Sequence, residues 1–204
     1  MDSQHSNTAN TARVAAAALV LIGCAAAFAT HLAALSGSNL NPASSPIGAL
    51  ARTDDVEWFR WGLWLFAVAH IGLILLLNRP GAGRFTRGAQ LFLALDAALI
   101  LLLPWHFDSV ASLADPTLAT SGGPLWLLGG SVGFAMTCVA GALWRTHYAT
   151  ALFTLFCLLL WSLLAPVFFA IEPDWIGAYQ RCVGLLLLVW TSVLAIRLCV
   201  VTRH

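Results

Sequence analysis

The sequence contains no lysine, and charged residues of any kind make up only 9% of its 204 positions. Soluble domains usually devote about a quarter of their residues to Asp, Glu, Lys and Arg, so a water-facing surface around the whole chain is excluded. The net charge of +1 excludes the basic footprint of a nucleic-acid-binding protein. Cysteine is sparse and unpatterned: Cys24, Cys138, Cys157, Cys182 and Cys199 are odd in number and form no CxxC pair, which argues against a disulfide framework. Thiols inside apolar runs behave as small hydrophobes. The chain also lacks GxxxxGK[ST], HExxH and HxxxH, so no nucleotide or zinc signature suggests an enzyme. Strands of alternating polarity, the mark of a membrane barrel, are missing too.

What remains is apolar sequence, 60% of the whole. A spanning helix needs about 20 mostly apolar residues, and six stretches approach or meet that length: 14–35, 58–77, 89–104, 124–144, 149–171 and 176–201. Helices satisfy their own backbone hydrogen bonds in lipid, whereas an open sheet cannot. The expected fold is all-α: a single polytopic bundle of six transmembrane helices over 14–201, with a short arm at 1–13 and a tail at 202–204. The first run is expected to be a retained span, the alternative being a cleaved leader with Arg13 before its apolar region and a small-residue zone near Ala25–Ala29. The run's 22 residues exceed the roughly 7–15 of a cleaved leader's apolar region.

Arginine placement predicts orientation. Arg13, Arg79, Arg84, Arg87, Arg145, Arg197 and Arg203 would lie on one side, against Arg52, Arg60 and Arg181 on the other. Short loops rich in basic residues stay in the cytoplasm, so both ends are expected there and the protein in the cell inner membrane. Trp58, Trp61, Trp105, Trp126, Trp144 and Trp175 lie near predicted helix ends, where aromatic rings favour the headgroup level. Trp64, Trp161 and Trp190 lie deeper and are expected to pack. Gly129 and Gly133 form a GxxxG that lets helices approach closely. Internal packing is the expected use, with homo- or hetero-oligomerisation through that face as the alternative.

Ionisable groups within a span are costly and are functional candidates by default. His70 lies seven residues before the end of the second run, and Asp96 seven after the start of the third. Residue 83, midway between them in number, is also the centre of the intervening loop. Antiparallel neighbours would hold both about 10 Å from the inner boundary at 1.5 Å per residue. The pair is expected either to clasp two helices or to relay protons. A second cluster, His31, His106, Asp108, Glu172 and Arg181, belongs to the predicted outer face. Its spacings match no local metal motif, so hydrated loop residues are the expectation and no metal is predicted. Haem is not expected either, since a bis-His site would need a mate for His70 at equal depth, and His5, His31, His106, His147 and His204 all lie elsewhere.

The first outer loop reads Ser44-Ser45-Pro46-Ile47-Gly48-Ala49-Leu50, with Trp58 opening the second run. The last run opens Gly177-Ala178-Tyr179-Gln180-Arg181 and closes Ala195-Ile196-Arg197-Leu198. This pattern resembles the six-helix bacterial membrane family catalogued as domain of unknown function 998. That family similarly shows a Ser-x-x-Gly loop, a Trp at the second helix and Gly-x-x-Gln-Arg at the start of the last. The likeness spans nearly the whole chain through short motifs. Where the family often carries Pro-x-Asp and then a His at the fourth helix, Asp108 matches the acid, but Pro124-Leu125-Trp126 supplies no His. The resemblance implies a membrane fold and no established activity. It singles out Ser45, Gly48, Trp58, Gln180 and Arg181, and Arg181 is expected to pair with Asp54, Asp55 or Glu57 or, alternatively, to meet an anionic lipid headgroup.

Three functions follow as expectations. The first is a non-catalytic accessory or lipid-interacting inner-membrane protein, with lipid as its partner and no cofactor. The second is a small proton-coupled transporter using His70 and Asp96. The third is an enzyme acting on lipid at the outer face.

Overall fold

The computed structural model describes residues 2–78, 82–111, 123–167 and 171–200. Six α-helices account for most of them, and no strand occurs among the described residues. They are α1 (Asp2–Gly37), α2 (Val56–Leu77), α3 (Arg84–Ala111), α4 (Gly123–Leu143), α5 (Tyr148–Val167) and α6 (Ile176–Val200). Each is long and apolar enough to cross a membrane. Short 3₁₀ turns occupy Ile47–Arg52 and Pro173–Trp175.

The observed ends differ from the expected ones in ways that local chemistry explains. The arm at 2–13 continues α1 as helix. The third helix runs past the expected boundary at 104, because Pro104 lies inside it. A proline removes one donor and crowds the preceding turn, yet membrane helices tolerate it where neighbours compensate. His106 and Asp108, expected in a loop, therefore fall on the α3 backbone, and their side chains lie outside the described residues. The fifth helix is described as far as Val167, with Pro166 inside it, and its expected end at 171 follows residues outside the described ones.

Sequential helices pack as neighbours, and α6 closes the arrangement against α1, α2 and α5. One core joins all six helices through Val20, Leu73, Leu93, Met136, Cys157 and Trp190. The most extensive seam, α1 against α2, is built from small residues. A methyl added to Gly72 would lie 2.7 Å from a Val20 methyl, and one on Gly62 2.6 Å from Thr30 Oγ1. Without such residues the two backbones could not approach so closely. The GxxxG in α4 packs inside the chain: Trp161 of α5 lies over Gly129 and Gly133, and its indole N–H donates to the Gly129 carbonyl at 3.0 Å. Leu91, Phe134, Phe156, Leu159 and Leu163 point outward, as expected where the surrounding solvent is hydrocarbon. Trp58, Trp61, Trp105, Trp126, Trp144 and Trp175 are exposed, Trp64 and Trp161 are half-buried and Trp190 is buried.

Candidate functional site

His70 and Asp96 are both buried, as their positions within spans require. They do not form the expected pair. His70 Nδ1 lies 3.0 Å from the Phe66 carbonyl of its own helix, and its ring meets Phe66 edge-on with centroids 4.7 Å apart. Because a carbonyl only accepts, the Nδ1–H tautomer is implied. Asp96 instead accepts a hydrogen bond from the Ser131 hydroxyl of α4, which also lies 3.0 Å from the Leu128 carbonyl. Equal depth fixes height along the bundle, whereas the rotation of each helix decides which neighbour a side chain meets. Asp96 faces α4 and leaves α2 to its own contacts. The same depth rule also indicates Ser131: Asp96 lies eight residues before 104, and Ser131 seven after 124. A carrier working through a His70–Asp96 contact therefore finds no such contact here.

The outer cluster divides in a similar way. Among the described residues no three His, Cys, Asp or Glu side chains gather closely enough to hold a metal. Glu172 is exposed. His31 lies within α1 rather than at its end, since the helix continues to Gly37. Together with Arg181 it lines a cavity.

Arg181 belongs to a clasp that the start of α6 makes on the first loop. Gly177 is buried, and a methyl there would lie 2.6 Å from the Pro42 carbonyl oxygen, 2.8 Å from that of Ala43 and closer still to that of Ser45. Only a residue without Cβ admits this approach. The Ala178 N–H then donates to the Ala43 carbonyl at 2.8 Å, satisfying one of the orphan donors of the first helical turn. Gln180 Oε1 accepts the Ile47 N–H at 2.7 Å. Arg181 Nη1 donates to the carbonyls of Pro42 at 2.7 Å and Ser45 at 2.9 Å. The expected pairing of Arg181 with Asp54, Asp55 or Glu57 is thus replaced by backbone carbonyls. Glu57 pairs locally with Arg60 at 2.6 Å, one helical turn away, where the geometry is available without ordering a loop. Ser45 takes part through its carbonyl oxygen, while Gly48 lies in the 3₁₀ turn and Trp58 in the first turn of α2.

The clasped loop roofs a pocket. Leu50 is fully buried with Ala34 and Phe59, which anchors the Ile47–Arg52 turn over the helix ends. Beneath it, α1, α2 and α6 enclose a cavity of about 380 Å³. Its walls are almost entirely apolar, including Phe28, Leu32, Phe66, Leu185 and Leu188. Phe28, Leu32 and Leu185 are also exposed on the outer surface, so the cavity opens sideways between α1 and α6. Gly184 contributes open space, with no heavy atom within 4 Å of where a Cβ would stand.

The polar groups in this wall are His31 and Arg181. Nη1 of Arg181 is committed to the loop, but Nε and Nη2 are buried without a hydrogen-bond partner, as is His31 Nε2. Buried donors left unpaired are costly and call for a ligand or another partner. The residue types alone suggested a hydrated outer cluster. The unsatisfied edge of Arg181 emerges only when the loop has claimed the other nitrogen.

No protein-family model matches this chain, and comparison with curated proteins and with solved structures likewise finds no match.

Proposed function

We propose that this chain is a multi-pass protein of a bacterial inner membrane, with both ends in the cytoplasm. It has no catalysis of its own and acts by holding a lipid chain between α1, α2 and α6. The observation that carries this proposal is the apolar cavity of about 380 Å³ whose wall continues into exposed Phe28, Leu32 and Leu185. Ligand pockets commonly occupy about 300–1,000 Å³ and are largely apolar, with few polar groups. A pocket that opens on a lipid-facing side receives its ligand from the bilayer. The likeness to the family of domain of unknown function 998 belongs to the same proposal. In that setting, Gly-x-x-Gln-Arg serves to seat the first loop over the pocket.

Native mass spectrometry of the protein released from lipid nanodiscs tests the proposal. The wild type should retain a bound lipid or amphiphile that Gly184→Phe releases, because the phenyl ring enters the open space at that position. Equal lipid retention by the folded variant would refute it.

A further inference from the structure

We infer that the cavity is a site for an anionic amphiphile, whose oxyanion headgroup is received by Arg181 and His31. The inference rests on the lipid-holding proposal and adds the chemistry of the ligand. Nε and Nη2 lie along one edge of the guanidinium, the edge that grips a carboxylate or phosphate through two parallel hydrogen bonds. In Arg181 this edge is buried and unpartnered, because Nη1 alone holds the Pro42 and Ser45 carbonyls. No acidic side chain pairs with Arg181 among the described residues. His31 Nε2, also buried and unpartnered, supplies a third donor when its proton is on that nitrogen. An oxyanion complements the guanidinium charge and a neutral headgroup does not.

Position gives the direction: Arg181 and His31 lie toward the roofed end, while Leu188 lies seven residues further along α6, about 10 Å away at 1.5 Å per residue. The headgroup therefore sits beneath the loop and the chain runs inward beside α6.

The test compares dodecanoate, dodecanol and inorganic phosphate as ligands for the full chain in phosphatidylcholine nanodiscs. Hydrogen bonds to a charged group predict that dodecanoate binds about 10- to 100-fold more tightly than dodecanol. Arg181→Lys keeps a charge but loses the fork, so it should remove most of that preference. His31→Phe, which leaves the loop contacts intact, should reduce the preference in part and guards against a folding defect in the arginine variant. Equal binding of acid and alcohol, both blocked by Gly184→Phe, would overturn the headgroup site and leave the lipid cavity standing. Binding of neither would overturn both. Displacement of dodecanoate by phosphate at matched concentration would mark a site for a soluble anion and overturn the amphiphile.

Discussion

Replacing Gly177 by alanine should loosen the roof of the cavity, and replacing Gly184 in the same helix should not. At Gly177 the new methyl would meet three backbone carbonyl oxygens, from Pro42, Ala43 and Ser45. Backbone cannot rotate aside as a side chain can, so the loop must lift. Four hydrogen bonds join it to α6: Ala178 to Ala43, Ile47 to Gln180, and Arg181 to both Pro42 and Ser45. At about 1 kcal/mol each, losing all four would cost about 4 kcal/mol, and stretching them would cost about half of that. Alanine recovers roughly 0.5–1 kcal/mol over glycine within a helix, leaving a net destabilisation of about 1–3 kcal/mol. At Gly184, where nothing obstructs the methyl, only the helical gain of roughly 0.5–1 kcal/mol applies. The two variants should therefore move in opposite directions in reversible unfolding in mixed detergent micelles. Exposure of the first loop to proteolysis should rise for Gly177→Ala only. Shifts of the same sign and size would show that Gly177 does not hold the loop.

Two further outcomes follow from the polar contacts and the arginine distribution. Asp96→Ala and Ser131→Ala should be non-additive in unfolding by about 0.6 kcal/mol, the usual scale of an interhelical polar contact, whereas His70→Ala and Asp96→Ala should be additive within about 0.3–0.5 kcal/mol. Coupling of the histidine pair, or none in the serine pair, would contradict the observed facing of α3. For orientation, an impermeant maleimide should label Asn39→Cys in intact cells and Gly83→Cys only after permeabilisation, both positions being exposed loop residues. The reverse pattern would place both ends outside.

The sequence alone determined that the chain folds as six membrane-crossing helices, because the lengths of its apolar runs and the scarcity of charge are one-dimensional properties that lipid converts directly into spans. It also located the tryptophans near the ends and the buried His70 and Asp96, and the family resemblance drew attention to Gln180 and Arg181. Boundaries were less legible where a helix ran through a proline, as at Pro104, or extended into polar sequence, as at 2–13. Partners were not legible at all from depth, since contact also depends on how each helix is rotated: Asp96 turned to Ser131, and His70 back to its own helix. Tertiary structure alone decided that one nitrogen of Arg181 would hold a loop from more than a hundred positions away, leaving its other edge unpartnered in the wall of an apolar cavity beside His31. Only the packing of α6 against both α1 and α2 brings those groups together, which turns an arginine near a membrane boundary into a candidate anion site.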